Sequence, residues 1–488
     1  MIPHSKHAMQ RQGGIVLPLT TIMLLGLLAM VGLALDVGLA YTNYRQAQTA
    51  ADTAALAGTY EKFYGNTSTL SSAAQQAAAD NGFVTGVDNI TVTVNNPPLS
   101  GYYLNDDFSV EVIVNQASPS FFLKVLGIDD LAFSARAVAN GSIASSQNCV
   151  YVLDDTSKNE KAFHISSDSS LITDCGIWVN SKNNKGAYVD SGACVEGSTI
   201  TVVGGYEKDK CDSGGASYQC SSSGDCPTSG KGKSSSQKPL PTPDPLAGIQ
   251  APTVSRSAST CAKEEKCDAS GCSGKEKDSG GPYEPYTVEG NKTLNPGTYC
   301  GGIHIKKGKV TFNSGVYILR GGGLRVEGGD SKATGTDVSF YNTCFWDCTS
   351  SGNKDPEKGK EWFWTMDINS SAKVTFSAPL CDGGLSGTEC ENPLDGILFF
   401  TDRDAPSSDD PGSYPVNRID SSVDATLTGA IYTWNQHLKF HSSSSGTNAK
   451  GLLVSKFLEV SSGSHVNLSN MSGASTGGSP LKRVTLVE

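Results

Sequence analysis

Residues 15–35 read IVLPLTTIMLLGLLAMVGLAL, a run without charge in which Thr20 and Thr21 are the only polar side chains. As an α-helix this run is about 30 Å long, the thickness of a bilayer's hydrocarbon core. Ile15, Leu19, Leu24, Leu28, Val31 and Leu35 are therefore candidate membrane-anchor residues. Pro18 falls where a first-turn proline loses no needed hydrogen bond. Lys6 and Arg11 precede the run, and Asp36 is the first acid after it. Positive charge tends to stay in the cytoplasm, so the run predicts a single-pass anchor with the body outside. A cleaved secretory signal is the alternative. Its apolar core would span about 7–15 residues, although Gly38-Leu39-Ala40 offers small residues of the cleavable kind. Either way the body lies outside the cytoplasm.

Residues 36–58, DVGLAYTNYRQAQTAADTAALAG, continue the run without a break. Ala47, Ala50, Ala51, Ala54 and Ala57 recur at spacings of three and four, which places them on one helix face. Small residues on a face permit close approach of another element. The helix is expected to run on to Gly58 or Gly65, with its alanine face against the domain behind it or a partner helix.

Arg11-Gln12-Gly13-Gly14, the apolar span, Asp36, Gly38 and Tyr41, and the run Ala50-Ala51-Asp52 with Ala54-Ala55 together resemble the N-terminal region of TadG-like proteins of Flp (Tad) pilus assembly. The resemblance implies a bacterial inner-membrane protein tied to pilus assembly or surface attachment, with other Tad proteins as partners. It implies no catalytic activity and no cofactor. Prepilins of such systems are cut after a Gly and carry a Glu five residues into the mature chain. Counting from Gly13 or Gly14, that position holds Pro18 or Leu19. The chain is therefore expected to stay anchored rather than be processed as a pilin.

Composition fits a secreted body. The chain has 488 residues and a formal charge of −11, which argues against a nucleic-acid partner. Gly is abundant at 54 residues, as in all-β proteins with many tight turns. All 14 cysteines lie at or after Cys149: Cys149, Cys175, Cys194, Cys211, Cys220, Cys226, Cys261, Cys267, Cys272, Cys300, Cys344, Cys348, Cys381 and Cys390. An even number in a translocated region reads as a disulfide set. No Cys-x-x-Cys occurs, and Cys344 with Cys348 is the nearest approach, so disulfides are expected over zinc.

Five segments are expected. Residues 1–65 hold the tail, transmembrane helix and amphipathic extension. Residues 66–145 form a small α+β module: a helix over 71–80 stopped by Asn81-Gly82, alternating strands over 90–94 and 108–114, a short helix over 119–127, and a strand over 131–139. The helix Pro119-Ser120-Phe121-Phe122 and Ser134 to Ala139 also resemble the TadE/TadG type. Residues 146–205 and 287–488 carry short strands between polar turns with no helix, which predicts a mainly-β region. It would be either a β-sandwich or a β-solenoid, and loose repeats around Gly315 and Gly463 favour the solenoid. Residues 206–286, rich in Ser, Gly, Lys, Cys and Pro, read as an insertion with little to bury, stapled by its own disulfides.

Three candidate sites come into question. Asp154-Asp155-Thr156-Ser157 begins like a von Willebrand type A metal motif but lacks its serine pair. Asp402 and Asp404 would share a strand face, as acid–base carboxylates can, yet their neighbours make a charged turn. His437 and His441 share a strand face with no evident carboxylate or Cys partner. No Gly-x-Ser-x-Gly or phosphate-cradling loop appears. Two functions remain. One is a non-enzymatic anchored component of pilus assembly or adhesion. The other is a carbohydrate-binding or carbohydrate-cleaving solenoid acting on surface glycans, with Asp402, Asp404, Trp362 and Trp364 at its site.

Overall fold

The computed structural model describes residues 16–64, 67–143, 148–208, 217–220, 240–254, 261–262, 267–268, 271–272, 285–345, 348, 363–369, 372–379, 394–420, 425–441, 446–469 and 482–488. Two compact units emerge: Met1–Ser142 with Val484–Glu488, and Ile143–Arg483.

The first unit is built on α1 (Val16–Tyr64), one unbroken helix of 49 residues that ends just before Gly65. It is long and apolar enough to cross a membrane. α2 (Leu70–Asp80) follows, and Gly82 at φ 93° reverses the chain. β1 (Thr91–Asn95), β2 (Ser109–Pro119) and β3 (Asp130–Ile143) form an antiparallel sheet, with the C-terminal strand Lys482–Leu486 on the far side of β3. Val110, Val112 and Val114 of β2 alternate toward α1, as do Ala135, Ala137 and Ala139 of β3.

The alanine stripe meets this sheet. Ala47, Ala50, Ala51, Ala54 and Ala55 are wholly buried against it. Ala57 is only half-buried, and Gly58 takes the contact instead. At 3.6 residues per turn the stripe from Ala47 through Ala51 and Ala54 arrives at residue 58. A Cβ on Gly58 would lie 3.1 Å from Val110 Cγ1 and 3.3 Å from Ala74 Cβ, so both neighbours would have to give way. The short helix expected over 119–127 shrinks to one 3-10 turn, Leu123–Leu126, because β2 runs on through Pro119.

The second unit is mainly β; apart from the short antiparallel pair Cys267–Asp268 and Gly271–Cys272, its described strands pair in parallel along three ladders. One ladder runs through Gly297–Cys300, Gly315–Arg320, Val338–Thr343, Ile397–Thr401, Ala430–His441 and Leu453–Ser461. A second starts at Tyr286–Val288, passes through Ile303–Ile305, Leu324–Val326, Asp367–Ile368 and Val416–Asp420, and meets the same two long strands. The third runs from Lys292–Leu294 through Gly308–Phe312, Ser331–Gly335, Lys373–Ser377, Ala425–Thr428 and Gly446–Lys450 to His465–Ser469.

Alternate residues of all three ladders point into one apolar core. There Tyr317, Phe340 and Phe399 follow in register, and the rings of Phe340 and Phe399 stack at 5.2 Å. In-register stacking of like rings gives a parallel array much of its packing.

The order along each ladder departs from chain order. Asn148–Val152 and Phe163–Ile165 pair with Leu453–Ser461, and Ser170–Thr173 pairs with His465–Ser469. The strands nearest the start of the unit thus extend the array beyond its last strands. Ser170 Oγ and His465 Nδ1, 295 residues apart in sequence, lie 2.8 Å from each other across this seam.

Candidate functional site

Where the apolar stretch of α1 ends, Asp36 is buried and its carboxylate accepts the backbone N–H groups of Phe121, Phe122 and Leu123 at 3.1, 2.8 and 2.7 Å. Three donors from one tight turn satisfy the carboxylate and tie the turn to the helix. Farther along, Asn43 donates to Ser118 Oγ at 2.9 Å. Gln48 donates to Arg136 O and to Asp52 Oδ1, and Thr59 donates to Ala139 O. The polar residues flanking the alanines therefore hold the helix in one register on the sheet. Leu19, Leu24, Leu28, Val31, Leu35 and Tyr41 are exposed, while Ile15 lies outside the described residues. No Cβ clash arises at Gly38.

At the sheet's other face Glu111 is fully buried. It accepts from Arg136 Nε at 2.6 Å, Asn95 Nδ2 at 2.8 Å, Ser100 Oγ at 2.9 Å and Leu99 N at 3.2 Å. Burial alone would raise its pKa, but these four donors outweigh burial and hold the carboxyl below its ordinary value. Arg136 also pairs with Glu488, whose backbone bonds to Val138 join the C-terminal strand to β3.

Residues 13–81 match the family model described as putative Flp pilus-assembly TadE/G-like. No curated protein and no solved structure matches the chain. The TadE/G-like segment covers α1 and α2, the elements that carry Asp36, Gly38, Tyr41, Ala50, Ala51, Asp52, Ala54 and Ala55. Its alanines and Asp36 are the residues that make contact within the first unit, which gives that part of the motif a physical meaning.

The second unit hides a feature beyond the TadE/G-like segment. Tyr341, Phe400, Tyr432, Val454, Tyr151 and Trp178 occupy one register column on the outer side of the first ladder. Phe400 and Tyr432 stack at 4.7 Å. Tyr341, Phe400, Tyr432 and Tyr151 are buried although they face away from the core, and residues 240–254 bond to this side of the ladder at Asn180, Arg403 and Tyr432. Leu246 and Ile249 of this strap are 1 % and 2 % exposed. The insertion, expected to bury little, here buries two large apolar side chains of its own.

A polar clamp fixes the strap. Arg403 donates to Leu246 O, to Ile249 O at 2.7 Å and to Tyr432 Oη at 2.9 Å, with its guanidinium 5.2 Å from the Phe400 and Tyr432 ring centres. Tyr432 in turn donates to Asp244, and Thr242 exchanges backbone bonds with the Asn180 side chain at 2.8 and 2.7 Å. Burial pushes the Asp244 carboxyl and the Tyr432 hydroxyl upward. Replacing Arg403 by Ala strands two strap carbonyls, at an expected cost of about 3 kcal/mol. Limited proteolysis should then cut within 240–254 where the native chain resists. Arg403→Lys should not restore resistance, since an ammonium cannot span both carbonyls while lying flat on two rings.

Asp154 accepts from Thr156 Oγ1 at 3.0 Å within its own turn, and burial raises its carboxyl. Asp402 and Asp404 do not share a strand face. The strand ends at Thr401, and Asp402 accepts from Tyr341 Oη at 2.7 Å, Thr343 Oγ1 at 2.6 Å and the Asp404 N–H at 3.0 Å. Asp402 is thus a turn-forming residue with its lone pairs occupied. Trp364 is half-buried, and Trp362 lies outside the described residues.

Cys149 is bonded to Cys175 and Cys344 to Cys348, with Cα–Cα distances of 5.7 and 5.2 Å; Cys194 and Cys300 each take part in a disulfide of their own. The side chains of Cys211, Cys220, Cys226, Cys261, Cys267, Cys272, Cys381 and Cys390 lie outside the described residues. Among the described residues no group of His, Cys, Asp or Glu is placed to hold a metal.

His437 does have a carboxylate nearby, contrary to expectation. Its Nε2 lies 3.7 Å from Glu459 Oε2, which comes from the next strand of the ladder, and its Nδ1 accepts the Gly412 N–H at 2.8 Å. Burial, with Lys439 and His164 nearby, overrides Glu459 and lowers the imidazole pKa to about 4. Above the ordinary histidine value the ring is neutral in both folded and unfolded chains. As pH falls from about 6.5 toward 4 only the unfolded chain takes up the proton, so folding stability drops across that window by roughly 3 kcal/mol. Denaturation midpoints followed from pH 7 to 4 should fall less steeply in His437→Gln than in the native chain. Equal slopes would assign the acid sensitivity elsewhere.

The signals for what sequence reading missed were present but indirect. Arg403 closely follows the largely apolar strand Ile397–Thr401, and the strap carries Leu246 and Ile249 among its prolines. Only parallel register lines up Tyr341, Phe400, Tyr432, Tyr151 and Trp178.

Proposed function

We propose that this protein is a non-enzymatic, single-pass component of the bacterial inner membrane that takes part in Flp (Tad) pilus assembly or the attachment it serves. The match over residues 13–81 carries this reading, because it falls on the apolar helix and the alanine face docked behind it. In this reading α1 crosses the bilayer with its first residues in the cytoplasm, and the second unit is a β-solenoid in the periplasm or beyond. Three features support the solenoid: parallel pairing throughout the three ladders, the shared core, and like residues repeated in register. A stiff array of this kind offers long faces to other Tad proteins.

The test is deletion of the gene in its host. Surface Flp-type pili and adherence should be lost, and return on complementation with the full chain but not with one truncated before Gly65. Unchanged pili together with unchanged adherence in the deletion strain would refute the proposal.

A further inference from the structure

We infer that the loop between β2 and β3, residues 120–129, is a second membrane contact, seated in the outer boundary of the bilayer beside α1. The inference rests on the proposal that α1 spans the membrane. Phe121 is 67 % exposed, Val125 88 % and Leu126 76 %, with Phe122 and Ile128 also exposed. Five large apolar side chains within eight residues form a patch that water disfavours, and such a patch marks an interaction surface.

Continuity with the anchor identifies the occupant. The Phe122 ring packs on α1 at Gly32, where an added Cβ would fall 2.6 Å from it. Gly32 lies inside the uncharged run 15–35, one turn before its end. If that run lies in hydrocarbon, the ring touching it reaches the same depth. Asp36 fixes the loop there through its three backbone bonds, and the base is closed by Ser120, whose N–H donates to Asp129 O at 2.9 Å. Leu123 turns inward and is buried, so the turn is braced by the first unit while its other apolar residues face out. Lys124, paired at 3.7 Å with Asp129, has the long stem that lets a charge reach water or lipid headgroups from the edge of an apolar surface. Together these features describe an interfacial wedge rather than a second crossing.

Phe121→Trp tests this in the full chain reconstituted into phosphatidylcholine vesicles with or without bromine on the acyl chains. All five native tryptophans lie at or beyond Trp178, so the added emission is obtained by subtracting the native chain. Tyr102→Trp, in the loop that leads into the opposite end of β2, is the aqueous control. The emission added by Phe121→Trp should drop by about half or more in brominated lipid, as for a ring seated roughly 5–10 Å into the headgroup–acyl boundary, while that added by Tyr102→Trp holds. Flotation of the vesicles separates the two failures. Protein that fails to float removes both the anchor and the wedge. Protein that floats, but in which the Phe121→Trp emission is quenched no more than the control's, leaves the anchor standing and overturns the wedge.

Discussion

Arg136→Met is expected to destabilise the first unit by about 3 kcal/mol, because it leaves the Glu111 carboxylate buried without its cation. Glu111 is wholly buried, whereas Arg136 is partly exposed, and the neutral donors Asn95, Ser100 and Leu99 N remain. The loss is therefore placed at the lower end for a broken buried pair. The same substitution removes the partner of Glu488, so the C-terminal strand should fray from β3 and become open to carboxypeptidase. The double variant Arg136→Met with Glu111→Gln should recover most of the stability, since an amide keeps an acceptor for the remaining donors without burying a charge. The pH response has a fixed sign. The folded-state pKa of Glu111 is depressed, so its contribution is fully present above the unfolded value near 4.5 and is lost as pH falls through the folded one. Arg136→Met should shift the onset of acid unfolding to higher pH. An unchanged onset and an unchanged midpoint would show that Glu111 is sustained by its neutral donors alone.

What the sequence discloses here depends on how local the physics is. Asp36, the alanine face and the strands of β2 and β3 were legible because helix and strand periods act over neighbouring residues. The face ended at Gly58 rather than Ala57 because a run of small residues tolerates a residue of drift in its spacing that a packed interface does not. Short strands such as Ile303–Ile305 and Leu324–Val326 were visible one at a time, but no fixed period revealed their register. Segments of unequal length separate successive strands, and parallel partners meet only after folding. His437 and Glu459 belong to neighbouring strands of one ladder, so their approach was hidden for the same reason. The strap escaped a reading by composition, which counts prolines and serines, whereas burial depends on where Leu246 and Ile249 land. Nor did the short C-terminal strand announce that the chain returns to the sheet it left at β3, which makes the second unit in effect an insertion between two neighbouring strands.

That topology makes a kinetic prediction at the seam. Phe163 is completely buried and its strand pairs Phe163 with Leu458; Phe312 is equally enclosed but sits among strands contiguous in sequence. Truncating either to Ala should cost about 3–5 kcal/mol, the usual range for emptying an aromatic site in a core. Their effects on rates should differ. Strands over 285–469 add to one another through short connections, whereas docking 148–173 onto 453–469 closes a loop of roughly 300 residues. Closing that loop costs about 2 kcal/mol more than closing a connection of about 20 residues, so the seam forms late. Phe163→Ala should therefore leave the refolding rate almost unchanged and speed unfolding, while Phe312→Ala should slow refolding. Stopped-flow refolding and unfolding of the oxidised chain across a denaturant series would measure both. If Phe163→Ala slows refolding as much as Phe312→Ala does, the two blocks of strands assemble together, and the seam is part of the nucleus.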